Sequence, residues 1–174
     1  MKESKSSALK LGNFVTLLNQ VYCLKAHFSE RMVDLVDAPT LSKVSQELKN
    51  LILETDLELL KLDEIFAFLG ERNSFECLQT LIDPLDGLCD ELANAIDRPQ
   101  CCHVIFYDYL SRIKSLEQSY LLALFRAATA LGNTELNALL LPINGDVKCD
   151  LLHNFKSLYP SSFFPDASEL SLAI

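Results

Sequence analysis

The sequence predicts an all-α protein, built as a four-helix bundle with one additional short middle helix. Apolar residues recur at steps of three and four along several long segments, which is typical of amphipathic helices. Glycine (5 residues) and proline (6 residues) are scarce, which favours long helices over a sheet joined by tight turns. A chain of 174 residues, of which 49% are hydrophobic, can bury one substantial core, so we expect a single domain.

The first helix is predicted from Phe14 to the sequence DAP at Asp37–Pro39, because the residue before a proline avoids helical geometry. Residues 1–12 are expected to form a flexible N-terminus, and the bundle domain is expected to span residues 13–158. The predicted apolar face of this helix comprises Phe14, Leu17, Leu18, Val21, Leu24, Phe28, Met32 and Leu35.

The second helix is expected to start at Thr40 or Ser42, either of which can cap it, and to end at Gly70. Its short connection to the first helix predicts an antiparallel αα-hairpin. The core-facing positions repeat with the same helical period and are Leu41, Val44, Leu48, Leu51, Ile52, Thr55, Leu59, Leu62, Phe66 and Leu69.

A third, shorter helical segment is predicted over roughly residues 74–96. Pro84 lies inside it, which predicts a kink or a break near Ile82. A long helix should follow, starting in the sequence DRPQ at Asp97–Gln100, where a proline is tolerated in the first turn, and ending at Gly132.

The last helical stretch is expected to begin at Asn133 or Thr134. Pro142 and Gly145 predict a break in it, followed by a final segment over residues 146–158. Residues 159–174 are expected to form an irregular tail, in which the adjacent Phe163 and Phe164 pack on the body or on a neighbouring subunit.

The net charge excludes some classes of function. With 15 basic and 24 acidic residues the chain carries a formal charge of −9, so the phosphate backbone of a nucleic acid would be repelled. No apolar run approaches the roughly 20 residues that span a bilayer, and no apolar stretch follows the basic N-terminal residues as in a signal peptide. We therefore expect a soluble, cytoplasmic protein with no nucleic-acid or membrane partner.

Cysteine and histidine show none of the spacings of known sites. The six cysteines contain no C-x-x-C pair, which favours reduced and mostly buried thiols. Cys101, Cys102 and His103 are adjacent, and neighbouring residues on a helix point about 100° apart, so we expect packing there instead of chelation. His27 and His153 are expected to be neutral core residues or surface residues. An H-E-x-x-H helix, a G-x-G-x-x-G turn, a P-loop and a G-x-S-x-G elbow are all absent from the sequence.

Several aromatic residues recur at helical spacing in the predicted long helix. Such stripes usually belong to the core, and a subunit interface is the alternative. The residues concerned are Phe106, Tyr107, Tyr109, Tyr120 and Phe125.

Four stretches together resemble the YciE/YciF-like branch of the ferritin-like superfamily: LLNQVYCLKAHF, LETDLELLKLDEIFAFLG, ECLQTLID and SLEQSYLLALFRAATALGNTELNALL. The resemblance covers about residues 13–155. It implies a ferritin-like four-helix bundle of a small, bacterial, stress-associated and often dimeric kind, mostly without an established activity. A di-iron site of that superfamily needs inward carboxylates from four helices, because two adjacent cations must be neutralised and bridged.

The resemblance also implies where ligands have been lost. Lys25 stands three residues after Tyr22, where the family has a glutamate. Leu53 replaces the first carboxylate of the second-helix element, and Lys114 replaces the first of the later long-helix element. The carboxylates left at family positions are Glu54, Asp56, Glu117 and Asp146, with Asp150 a further candidate.

Two interpretations follow. In the preferred one, no metal is bound, the former site has either become a polar network of the lysines with the remaining carboxylates or disappeared, and the protein is a non-catalytic homodimer rather than an enzyme. In the alternative, Glu54, Asp56, Glu117 and Asp146 retain a reduced site for iron or manganese. For Glu58 we expect an ion pair with Lys25 or Lys61. A third possibility is a helical adaptor whose groove accepts a helix of an unknown partner.

Overall fold

The computed structural model describes residues 2–75, 78–143 and 147–158, with side chains described over residues 8–75, 78–143 and 151–158. This part of the chain is all-α and contains no strand. Its helices are α1 (Lys2–Val33), α2 (Ser45–Leu69), α3 (Gln79–Asn94), α4 (Pro99–Leu131), α5 (Thr134–Leu140) and α6 (Val147–Leu158).

Three long helices and one divided helix surround the core. Helix α1 packs against α2 and α4, and the pair α5 and α6 contacts both α2 and α4. The short helix α3 packs on α4 and touches α1 from outside this ring. The observed packing therefore contains four helical positions around a core, one of them divided between α5 and α6, together with a middle helix.

The core is divided into two clusters along the bundle axis. The first core cluster joins the C-terminal half of α1 to the beginnings of α2 and α4, and includes Phe28, Leu48 and Phe106. The second core cluster joins the earlier part of α1 to the ends of α2 and α4, and includes Phe14 and Leu62. Because early residues of α1 meet late residues of both α2 and α4, these two helices run antiparallel to α1.

The predicted helix ends after α2 and α4 are confirmed. Gly70 and Gly132 have φ angles of 69° and 68°, the left-handed conformation in which glycine avoids the penalty of a Cβ atom. Pro99 occupies the first turn of α4. The side chain of Asn133 accepts hydrogen bonds from the backbone N–H groups of Glu135 and Leu136, which makes it the N-cap of α5.

The start of α2 differs from the prediction. Residues Pro39–Leu41 form a 3-10 turn, and the α-helix begins only at Ser45. Neither Thr40 nor Ser42 caps α2, whose N-cap is Val44 without a side-chain hydrogen bond. The polar groups of Thr40 contact α4 instead: the carbonyl accepts from His103 Nε2 (2.9 Å) and the hydroxyl accepts from Cys102 Sγ (3.6 Å).

The start of the first helix also departs from the prediction. We expected it at Phe14, but α1 begins at Lys2, within the segment 1–12 that was expected to be flexible, since this stretch contains good helix formers and no proline. Of the kink or break predicted near Ile82, the break is absent, because Pro84 lies inside the continuous helix α3. The predicted break at Pro142 and Gly145 falls between α5 and α6. The tail at residues 159–174, with Phe163 and Phe164, lies outside the described residues.

Candidate functional site: a lysine and carboxylate layer

A charged layer separates the two core clusters. Lys25 lies one turn after Val21 of the second cluster and one turn before Phe28 of the first, on the same face of α1, and its side chain is completely buried (0% exposed). Its ammonium group donates to the carboxylates of Glu117 on α4 and Glu58 on α2, the latter at 2.5 Å. Three helices are thus joined at one charged nitrogen in the middle of the bundle.

Burial decides how strongly these charges interact. The side chain of Glu117 is 2% exposed and that of Glu58 is 16% exposed, so water screens the Lys25–Glu117 pair less than the Lys25–Glu58 pair. Burial alone would lower the pKa of Lys25, but the charges of Glu117 and Glu58 outweigh it and raise the pKa above its ordinary value of 10.5. The ammonium is therefore charged at neutral pH, and it donates to both carboxylates.

Neighbouring polar side chains on α2 and α1 are hydrogen-bonded. The buried hydroxyl of Thr55 donates to the carbonyl of Leu51 within α2 (2.8 Å). The hydroxyl of Ser29 donates to Asp56 (2.5 Å) at the edge of the bundle. These bonds satisfy the hydroxyl groups that lie next to the charged layer.

Of the four carboxylates predicted for a reduced metal site, the structure describes three and gives them different environments. Glu117 is buried and bonded to Lys25, whereas Glu54 and Asp56 are exposed on α2. Asp146 lies outside the described residues, and the side chain of Asp150 does as well. Among the residues that are described, no group of three or more His, Cys, Asp or Glu side chains is placed to hold a metal ion.

The two predicted lysine positions have different environments. Lys25 forms the expected network with carboxylates, and the expected ion pair of Glu58 is confirmed with this lysine. Lys114 is only half-buried, and Leu53 is exposed. Lys61, the other candidate partner for Glu58, donates instead to the carbonyl of Pro142 (3.4 Å).

A second polar group lies between α1 and α3 and was missed by the sequence analysis. Arg31 on α1 donates to Asp86 on α3, and His27 Nδ1 lies 3.7 Å from the same carboxylate. These residues border a cleft of about 300 Å³, which also includes Cys23. The i, i+4 spacing of His27 and Arg31 is visible in the sequence. Asp86 faces them from α3, and the sequence does not show how α3 is rotated about its own axis.

Burial is the main cause of the pKa shifts of His27, Cys89 and Tyr109. Burial lowers the pKa of His27, and Arg31 lowers it further, while Asp86 and Glu30 oppose the effect. Burial likewise raises the pKa of the Cys89 thiol to about 11, and raises that of Tyr109, whose hydroxyl faces this thiol. At neutral pH, His27 and Cys89 are therefore uncharged, as is Tyr109.

The described cysteine and aromatic side chains are mostly buried or partly buried, as predicted, but Cys101, which was expected to pack at the start of α4, is exposed. Cys23, Cys89 and Cys102 are buried free thiols, and Cys101 is exposed. Phe106 and Tyr109 are fully buried in the first core cluster. The other three predicted aromatic residues pack partly buried against the core, namely Tyr107, Tyr120 and Phe125.

Comparisons with protein-family models, with curated proteins and with solved structures found no match to this chain. Within the described part of the chain, none of the helices combines the length and the apolar character needed to cross a bilayer.

Proposed function

We propose that this protein is a non-catalytic, ferritin-like helical bundle, in which a lysine and two glutamates stand where related bundles hold two metal ions. The resemblance adds a bacterial, stress-associated and homodimeric character to the proposal, and we also propose the cytoplasmic location expected from the sequence. One observation carries it: Lys25, at the position where the family has a ligand, is fully buried and bonded to Glu58 and Glu117.

Charge balance supports this reading. A buried carboxylate pair is unfavourable unless a cation neutralises it, and either a metal ion or an ammonium group can do so. In this bundle the ammonium of Lys25 performs that task with direct hydrogen bonds to both carboxylates. A metal ion entering the same place would have to displace this ammonium or meet its positive charge at close range.

The alternative, a reduced iron or manganese site, has weaker support. It requires Glu54 and Asp56 to act together with Glu117, but the first two are exposed on α2 and the third is bonded to Lys25. Asp146, the fourth member, lies outside the described residues. A site of this kind would need a rearrangement of the side chains around Glu117.

Metal-dependent thermal stability tests the proposal. We would compare the wild-type protein with Lys25→Met and Lys25→Glu variants, each melted with and without Mn(II) or anaerobic Fe(II). The wild type should show no metal-dependent shift beyond roughly 1 °C, and Lys25→Met, which leaves only two carboxylates without their cation, should show a smaller rise than Lys25→Glu. Lys25→Glu places a third carboxylate beside Glu58 and Glu117, so metal should raise its Tm by roughly 5 °C or more.

Two outcomes would contradict the proposal. One is a large metal-dependent rise of the wild-type Tm, because it would show that the carboxylates bind metal despite Lys25. The other is a similar rise in Lys25→Met that disappears when Glu54 and Asp56 are also replaced by alanine, because it would place a metal at the alternative carboxylates.

A further inference from the structure

The outer face of α2 carries leucines that the monomer leaves in solvent. Leu53, Leu57 and Leu60 are 63%, 57% and 60% exposed. Their spacing of four and three residues places them within an arc of about 60° on the helix, opposite the face that enters the core. We call these three residues the α2 leucine stripe.

Two neighbouring residues enlarge this apolar surface. Phe68 continues along the same side of α2 and is 41% exposed. Leu141 is 73% exposed, and the hydrogen bond from Lys61 Nζ to the carbonyl of Pro142 holds this corner next to α2. At roughly 100 Å² per side chain, the surface amounts to roughly 500 Å² per chain. The exposed Glu64 lies between the α2 leucine stripe and Phe68 on this side of α2, and apolar surface of this extent with polar residues around it is typical of an interaction site.

We propose that the α2 leucine stripe pairs antiparallel with the same stripe on a second copy of this chain, about a two-fold axis near Leu57. In this arrangement Leu53 of one copy lies beside Leu60 of the other, so each leucine meets a leucine. The pairing buries roughly 1,000 Å² in total, which reaches the lower limit for a specific interface. A two-fold interface of this kind is self-complementary and closes with two subunits.

Charges along one edge of the stripe favour the antiparallel direction. Glu54 and Lys61 lie on the same edge of the stripe. Along α2, Glu54 lies before the proposed two-fold axis and Lys61 lies after it, at similar distances. The two-fold rotation therefore brings Glu54 of one copy beside Lys61 of the other, twice. A parallel two-fold pairing would place these edges on opposite sides of the interface and would form neither of the two Glu54–Lys61 pairs. The ammonium of Lys61 can donate three hydrogen bonds, so its bond to Pro142 leaves it able to pair.

This surface rests on the homodimer included in the proposed function, but not on the lysine and glutamate layer. The α2 leucine stripe faces solvent, whereas the side chain of Lys25 is buried at the centre of the bundle. A failure of the dimer would therefore leave the argument from Lys25 intact.

Charge exchange tests the proposed surface with the full-length chain. Light scattering on a size-exclusion column, over a dilution series, should show a dimer for the wild type. Glu54→Lys alone and Lys61→Glu alone each create two like-charge contacts and should weaken dimerisation roughly 10- to 30-fold. The double variant Glu54→Lys/Lys61→Glu exchanges the partners and should restore the wild-type affinity. An equal mixture of the two single variants should also form a heterodimer with restored affinity.

An apolar variant provides a second measurement with a matched control. Leu57→Gln should weaken the dimer roughly 100-fold, because this leucine is buried in both copies at the axis. Leu122→Gln changes an equally exposed leucine on α4 (53% exposed) and should leave the affinity unchanged. Far-ultraviolet circular dichroism should show unaltered helicity in all variants, since each replaced side chain leaves the core intact.

The possible contrary results are distinguishable. A wild-type monomer throughout the dilution series would overturn both the dimer and this surface, and would mean that the stripe is left open or is covered by another part of the chain or another protein. A wild-type dimer that none of these variants weakens would overturn this surface alone, because the subunits would then meet at another face. Single variants that weaken the dimer without rescue by the double variant would overturn the antiparallel arrangement.

Discussion

Lys25 donates to the carboxylate of Glu117, a residue 92 positions further along the chain, at the boundary between the two core clusters. Both side chains are almost completely excluded from solvent. A charged pair at this depth stabilises a fold only when both members are present, because either one alone is an uncompensated buried charge.

Removing the ammonium should therefore cost more than removing the pair. Lys25→Met should lower the free energy of unfolding by about 3–5 kcal/mol, since it leaves Glu117 buried without its cation. The double variant Lys25→Met/Glu117→Leu should recover at least half of that loss. Urea unfolding followed by circular dichroism measures both values.

Lys114→Met provides the control for that experiment. Lys114 stands at the other lysine position suggested by the resemblance but is half-buried, so its replacement should change stability by less than about 1 kcal/mol. If Lys25→Met lowered the free energy of unfolding no more than Lys114→Met does, the buried contacts of Lys25 would contribute little to stability.

The contribution of Lys25 should persist to unusually high pH. Its pKa is raised in the folded protein, so the stabilisation is complete below the unfolded value of 10.5 and is lost as pH rises through the folded value. The stability difference between wild type and Lys25→Met should stay constant from about pH 7 to pH 10 and shrink only above that range. A difference that already declines near neutral pH would indicate a lysine with a lowered pKa.

His27 should make the protein sensitive to mild acid. Because burial lowers its pKa below 6.5, the folded state disfavours the proton, and stability is complete above the unfolded pKa and falls as pH drops through it. His27→Phe, which keeps a ring beside Tyr109, should show a smaller loss of Tm between about pH 7 and pH 5 than the wild type. Equal losses in the two proteins would exclude His27 as the source.

Replacing glycine by alanine should change the stability in opposite directions at a helix end and inside a helix. Gly70 has a φ of 69°, so Gly70→Ala should destabilise the protein by about 1 kcal/mol. Gly87 lies within α3, where an added Cβ would meet no atom within 4 Å, so Gly87→Ala should stabilise it by about 0.5–1 kcal/mol. Thermal unfolding of both variants checks the signs, and a stabilised Gly70→Ala would contradict the left-handed cap.

The thiols should differ sharply in reactivity. Cys101 is exposed, whereas Cys89 is buried with a pKa of about 11. Iodoacetamide at neutral pH should modify Cys101 in the folded protein and Cys89 only after denaturation, as read by peptide mass spectrometry. Rapid labelling of Cys89 in the native protein would mean that α3 opens readily.

Local signals in the sequence predicted much of the fold. Gly70, Gly132, Pro99 and Asn133 act through their own backbone geometry or side chains, and all four occupy the predicted helix ends. The start of α2 was mispredicted because Thr40, a good capping residue, contacts a distant helix instead. A long-range contact of this kind leaves no local signal.

The site was predicted only in part for the same reason. The expected pairing of Lys25 with carboxylates is present, and it includes Glu117. Glu54 and Glu58 are one helical turn apart, yet Glu54 is exposed and only Glu58 reaches Lys25. A difference of about 40° around the helix separates these environments, and hydrophobic periodicity does not define helix rotation that finely.

Elemental analysis of the native protein tests the central claim most directly, with metal content and molecular mass read from the same size-exclusion peak. We expect iron and manganese far below one ion per chain, even after incubation with Fe(II) or Mn(II) and removal of the excess, because the ammonium of Lys25 already occupies the place between Glu117 and Glu58 and bonds to both. About one or two ions per chain, retained through the column, would contradict the account and favour the carboxylate metal site.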